Sequence, residues 1–395
     1  MKLANQTVCT GCSACVNICP QKCLMMSPDS KGFLFPELIA SDQCINCDCC
    51  QRVCPVLQKE QYFSDNCTRC YAGYTKDNSM RKNSSSGGIF SELATAILKH
   101  GGVVYGAAYE DDNYVVQHIC VAEERELSHL RGAKYAQSNL HSSFFDIKER
   151  LRTGQEVLFV GTPCQVAGLK SFLGGKYENL FTIDFVCHGV PSPLIWERYV
   201  QYRAEKDNNG IMPININLRS KKTGWSRYQY SNEYQYENGK MYSARSDEDL
   251  FMRLFVGDYI NRESCTNCHF KGYERISDIT LGDFWGIWDV APEMDDNKGT
   301  SLILVHSQSA KEILEQLSDR IILKEVTLQQ ASKQNPSMLL SSPAHSKREV
   351  VIQKCLDGKF DELQKYFAKT QISLKDPSAN ILSRVWNKMK RTLTE

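Results

Sequence analysis

Residues 156–189 read EVLFVGTPCQVAGLKSFLGGKYENLFTIDFVCHG, and this stretch decides the architecture. EVLFV (Glu156–Val160) and LFTIDFV (Leu180–Val186) are continuous apolar runs, the signature of strands buried on both faces. Between them Gln165–Leu173 reads as a helix that Gly174-Gly175 stops. Strand, helix, strand in this order is one right-handed crossover, so both strands end on the same edge of a parallel pair. Neighbouring strands lie about 4.8 Å apart. Cys164 and Cys187, each just past a strand end, are therefore expected side by side at the edge where α/β proteins bind ligands.

Outward from this unit the pattern is similar. Ile89, Phe90, Leu93, Ala94, Ile97 and Leu98 recur at helical spacing before Gly101-Gly102, and Val103–Tyr109 and Val115–Val121 read as strands. Residues 211–245, rich in Tyr, Asn and Gly, alternate as β-hairpins do. A helix over Asp247–Val256, strands over Ile276–Leu281 and Ser301–Val305, and a helix over Ser309–Leu317 follow. The last fifty or so residues read as helical. Arg384, Lys388, Lys390 and Arg391 around Val385, Trp386 and Met389 make them basic, which suits a solvated terminal helix or a membrane-surface contact.

At 395 residues the chain is long for one domain. The 47 Lys+Arg nearly cancel the 46 Asp+Glu, which argues against a nucleic-acid binder. No apolar run approaches the ~18 residues that span a bilayer. MKLANQTVC carries no apolar segment of a secretory signal, so a cytoplasmic location is expected.

Twelve of the 18 cysteines fall before residue 71. A reducing compartment would not keep them as disulfides, so metal is the natural holder. Cys9-x-x-Cys12-x-x-Cys15-x-x-x-Cys19-Pro20 and Cys44-x-x-Cys47-x-x-Cys50-x-x-x-Cys54-Pro55 share one spacing, that of the bacterial two-cluster ferredoxin. There the fourth Cys of each run crosses to the other cube. Cys9, Cys12, Cys15 and Cys54 would thus hold one 4Fe-4S cluster, and Cys44, Cys47, Cys50 and Cys19 the other. Structural zinc is the rival, but zinc calls for neither the third x-x step nor the crossing ligand. Cys23 and Cys49 fall outside the pattern and read as small buried side chains. Cys67-x-x-Cys70 reads as a dithiol or half a metal site.

Cys265-x-x-Cys268 supplies two thiols that, with Cys164 and Cys187, complete a set for a third 4Fe-4S cluster. Zinc, plain packing, or a nucleophilic Cys164 with His188 as base are the alternatives. Iron–sulfur clusters move single electrons, whereas metabolic reductants usually move a hydride, so a flavin is the expected missing part. No G-x-G-x-x-G follows a strand. SSSGGIF (Ser84–Phe90), opening a helix, offers hydroxyls, glycines and free N–H groups for a pyrophosphate, or merely an ordinary capped turn. RGAKYAQS (Arg131–Ser138) offers Arg131, Lys134 and Tyr135, or a solvated loop. LGDFWGIW (Leu281–Trp288) puts Asp283, Trp285 and Trp288 nearby, with core aromatics as the plain reading.

SSSGGIF, RGAKYAQS, VLFVGTPCQVAGLK, DFVCHGVPSP and CTNCHFKGYERISDITLGDFWG, in that order, resemble the beta subunit of the coenzyme F-420-reducing hydrogenase and its dehydrogenase relatives. The resemblance covers roughly residues 70–310. It implies FAD and a 4Fe-4S cluster in an α/β domain, with Cys164, Cys187, Cys265 and Cys268 as ligands. It also implies Ser85, Ser86, Gly87, Gly88, Lys134 and Tyr135 as flavin contacts. Hydride exchange with a 5-deazaflavin is the activity of its best-known members, while other relatives reduce quite different molecules.

The expected fold class is α+β. A two-cluster ferredoxin domain (1–58) and a linker (59–70) precede a larger flavin- and cluster-binding α/β domain (71–340) with a mainly parallel sheet, and a peripheral helical tail (341–395) follows. The expected function is an iron–sulfur flavoprotein oxidoreductase. A partner protein or a two-electron carrier (deazaflavin, NAD(P)H or ferredoxin) stands at its far end. A non-catalytic electron-transfer subunit, a reductase of a small organic substrate, and a zinc-stabilised binding protein are the other readings.

Overall fold

The computed structural model describes residues 2–58, 69–110, 115–226 and 229–369. In the N-terminal module β1 (Leu24–Pro28) and β2 (Leu34–Leu38) form an antiparallel pair. Two one-turn helices, Ala14–Asn17 and Cys49–Arg52, begin inside the two cysteine runs. Each run also bends the backbone into the left-handed region on both sides of its middle Cys: at Gly11 and Ser13 around Cys12, and at Asn46 and Asp48 around Cys47. The doubled spacing is thus a doubled conformation.

The large sheet has eight strands: β3 (Arg69–Thr75), β4 (Val103–Tyr109), β5 (Val116–Val121), β6 (Val157–Val160), β7 (Leu180–Phe185), β11 (Ile279–Asp283), β12 (Ser301–Val305) and β13 (Ile321–Val326). Their order is β13-β3-β12-β11-β7-β6-β4-β5. The pairs β4–β6, β6–β7 and β7–β11 are parallel, and β6–β7 is the crossover pair read from the sequence. The other pairs, β4–β5, β11–β12, β12–β3 and β13–β3, are antiparallel. The sheet is therefore mixed, not mainly parallel. A parallel neighbour needs a crossover of a dozen or more residues, which the short 110–115 connection after β4 cannot supply; the longer 284–300 connection after β11, with two short helices, returns the chain antiparallel as well. The parallel centre is buried on both sides, by the Ile89–Lys99 helix on one and the Pro163–Leu173 helix on the other.

A second, antiparallel sheet is formed by β8 (Asn215–Ser220), β9 (Ser231–Gln235) and β10 (Met241–Arg245), in the order β10-β9-β8. Its Tyr234 and Tyr236 pack with Trp196 and Tyr199 of the Pro193–Asn208 helix. Val351, Ile352 and Cys355 of the Arg348–Leu356 helix join the same core, as do Phe360, Leu363 and Phe367 of the Phe360–Lys369 helix. These C-terminal helices are not peripheral. Their apolar residues close a core that the three-stranded sheet could not bury alone. The basic stretch Arg384–Arg391 lies outside the described residues.

Candidate functional site

The two cysteine runs ring two small cavities. Cys9, Cys12, Cys15 and Cys54 line one together with Cys50, and Cys19, Cys44, Cys47 and Cys50 line the other together with Cys23 and Cys49. This is the crossed pairing of the ferredoxin spacing, with Cys50 on the wall between. Left-handed residues flank Cys12 and Cys47 on both sides, which curls the chain tightly around each of them. Cys23 is buried, with its sulfur 3.4 Å from that of Cys19. Cys67 lies outside the described residues. Cys70 is a core residue of β3.

The crossover places Cys164 and Cys187 as the sequence implies, because β6 and β7 are adjacent and both thiols line one large cavity at the strand ends. Thr162 caps the Pro163–Leu173 helix reciprocally with Gln165, which fixes Cys164 in the first turn. Cys265 and Cys268 come in from the short Glu263–Asn267 turn and its end. The four thiols feel one another: Cys164 is acted on by Cys268 and Cys187, Cys187 by Cys265 and Cys268, and Cys265 by Cys164 and Cys268. Burial first, and these neighbours second, push Cys164, Cys187 and Cys265 up to about 12. That is the wrong direction for a nucleophile, whose thiol is held low. Lys271 donates to the Cys187 carbonyl at 2.6 Å and to that of Ser337 at 2.9 Å, bringing a cation to the rim.

This third set touches the ferredoxin module directly. Cys54, Cys164 and Cys268 pack against one small cluster of Val56, Ala167 and Phe270. Thr10 lines both the Cys9/Cys12/Cys15 cavity and the large one.

The large cavity, about 1170 Å³, also receives Ser85, Ser86, Gly88, Lys134 and Tyr135. The Ile89–Lys99 helix opens on it with Gly88 in left-handed conformation and no side-chain cap, so its first N–H groups are left for a ligand. Arg131 is held beside it by Ser91, Nε to Oγ 3.0 Å. Gly87 does not line the cavity. A Cβ there would meet the Gly73 carbonyl at 2.4 Å, so this glycine lets the loop close on the sheet. Lys134 donates to the carbonyls of His129 and Arg131 at 2.8 and 2.7 Å, and burial pulls its amine down to about 7. Tyr135 packs on Phe255 with ring centroids 4.9 Å apart. His188 also lines the cavity, with Nε2 2.9 Å from the Asp258 carboxylate. Trp285 stacks on Trp225, and Trp288 points to solvent.

Sequence reasoning missed the cations that brace this cavity. Arg219, on β8, grips Asp283 with both nitrogens at 2.7 and 2.9 Å and reaches the Ser85 carbonyl at 3.3 Å. Lys221 holds the carbonyls of Arg81, Ser86 and Lys298 at 2.6–2.7 Å. Both come from the stretch read only as hairpins, where nothing signals that the second sheet folds over SSSGG.

Matches to family models make the chain an iron–sulfur oxidoreductase-type electron-transfer subunit: residues 8–57 match the 4Fe-4S dicluster domain. Residues 70–144 match the N-terminal model and residues 154–331 the C-terminal model of the coenzyme F420 hydrogenase/dehydrogenase beta subunit. The chain belongs to that family. Among similar solved structures is the F420-reducing [NiFe] hydrogenase complex from Methanosarcina barkeri. That match has 14% identity and a TM-score of 0.44, and covers 77% of this chain and 92% of that one. No curated protein matches the chain. Among the described residues no helix is long and apolar enough to cross a membrane.

Proposed function

We propose that the chain is a cytoplasmic iron–sulfur flavoprotein. It exchanges electrons between a two-electron carrier or small organic substrate, at FAD in the large cavity, and the two ferredoxin-type clusters. A third 4Fe-4S cluster on Cys164, Cys187, Cys265 and Cys268 would link them. The observation that carries this reading is Thr10, one residue forming the wall between the first thiol cavity and the large one. Electrons entering the large cavity need cross only that wall.

Ser85, Ser86 and the uncapped helix start after Gly88 would take the pyrophosphate beside Arg131, and Lys134 and Tyr135 would flank the ring system. Bound there, the flavin supplies the conversion between a hydride and single electrons. The cavity exceeds the ~300–1,000 Å³ of an ordinary ligand pocket, which suits a cofactor and a carrier together. The family's description as a beta subunit supports a redox partner protein beyond the clusters.

The test is anaerobic purification. Brown protein with about twelve irons per chain and releasable FAD is expected. Colourless protein carrying zinc would end the reading, and iron without flavin would leave an electron-transfer subunit with no substrate of its own.

A further inference from the structure

Arg262 is 1% exposed, and among the described residues no carboxylate lies within ion-pair reach of it. A buried guanidinium without a counter-charge is strongly disfavoured, so something anionic is expected beside it. Its neighbours say what. Nε donates to the Cys9 carbonyl at 2.8 Å, inside the first ferredoxin run. Its own carbonyl accepts from the Cys265 N–H at 3.0 Å, and its charge acts on the Cys265 thiol. Nη1 donates to Gln137 Oε1 at 3.0 Å, while Nη2 is buried with no hydrogen-bond partner. Phe35 covers the remaining face, its ring centroid 4.0 Å away. The cation thus sits between the backbone of the first ferredoxin run at Cys9 and the segment that carries Cys265.

Resting on the cluster assignment above, we infer that Arg262 is the counter-ion shared by the clusters on Cys9/Cys12/Cys15/Cys54 and on Cys164/Cys187/Cys265/Cys268. A cube held by four thiolates is a net anion and gains a further negative charge on reduction, and its potential follows local charge and hydrogen bonding. A buried cation favours the reduced form more than the oxidised one. Arg262 therefore raises the potentials of both inner clusters and leaves the outer cluster, on Cys19/Cys44/Cys47/Cys50, untouched. It is a positioning residue: it touches no reacting atom. Through Gln137, whose side-chain oxygen also accepts from the Leu34 N–H at 3.3 Å, it ties the ferredoxin module to the cavity wall as well.

The experiment is a stepwise anaerobic reduction of the full chain, with each cluster followed by its paramagnetic signal, in wild type, Arg262→Gln, Arg262→Lys and Gln137→Glu. In Arg262→Gln two of the three signals should move to more negative potential while the third stays. Arg262→Lys, which keeps the charge, should stay near wild type. Gln137→Glu sets a carboxylate against the guanidinium and should reproduce the downward shift with Arg262 still in place, which decides the matter even if Arg262→Gln loses iron. Unchanged potentials in Gln137→Glu, or an equal shift of all three signals in Arg262→Gln, would overturn the assignment. A wild-type chain without iron would instead remove the cluster reading beneath it, so the two failures are told apart.

Discussion

Gly168 stands directly against Cys12: a Cβ on Gly168 would meet the Cys12 Cβ and Sγ, both at 3.0 Å. Gly168 lies one turn beyond Cys164 on the same helix, so this contact joins the first ferredoxin site to the third thiol set. Gly168→Val should push the module off the helix and destabilise the chain by about 1–3 kcal/mol, the usual cost of overpacking. Thermal unfolding reads the stability, and flavin-to-cluster reduction kinetics read the junction. A variant with wild-type Tm and rates would mean the two parts do not meet there.

Cys164→Ser removes one thiol from the inner set and none from the ferredoxin runs. It should lose about four irons per chain and keep the rest. Iron and acid-labile sulfide analysis decides the point. Full iron in the variant would take Cys164 out of the ligand set.

Much of this was readable in the residues, and for a physical reason. A buried βαβ unit leaves no freedom about which edge Cys164 and Cys187 share, and the spacing of the two cysteine runs anticipates which thiols line each small cavity. Val103–Tyr109 and Ser301–Val305 are strands at the bounds their apolar runs imply. Strand direction was legible only where a crossover imposed it; β12 and β13 each run antiparallel to β3, which lies between them, because of connections whose path the sequence does not encode locally. Arg262 was silent for the same reason. Its partners, Cys9 and Gln137, are far away in the chain and neighbours only once the ferredoxin module is docked. Phe360 and Phe367 read as part of a peripheral helical tail because the core they fill is supplied by β8–β10 and the Pro193–Asn208 helix.

His118 and His306 are buried as neutral imidazoles, pulled down by that burial to about 4 and about 3. The unfolded chain takes up these protons near 6.5, so acid favours unfolding. The stability is fully present above about pH 6.5 and is lost as pH falls toward the folded values. Between pH 7 and 5 His118 alone should account for a loss of about 2 kcal/mol. Urea midpoints at the two pH values measure it, and His118→Gln, which can still donate to the Val160 carbonyl, should show a shallower decline. An identical slope in the variant would place the acid sensitivity elsewhere.

Arg219 and Asp283 brace the loop that carries Ser85, and the guanidinium is buried between the Tyr230 and Trp285 rings, 4.1 and 5.2 Å from their centroids. Asp283→Asn leaves that guanidinium, only 4% exposed, without its carboxylate on the cavity wall, and should destabilise the chain by up to about 3–5 kcal/mol. Because Arg219 also holds the Ser85 carbonyl, FAD retention after gel filtration should fall with it. Replacing both partners, Arg219→Met with Asp283→Leu, removes the stranded charge and should recover most of the stability, since a buried pair and an apolar pair of like volume are often nearly equal. Flavin retention should recover only in part, because Arg219's tie to the Ser85 carbonyl is gone while that of Trp225 Nε1, at 3.2 Å, remains. If the double variant is as unstable as Asp283→Asn, lost packing rather than an orphaned charge is the cause. If it regains flavin in full, Arg219 plays no part in holding the loop.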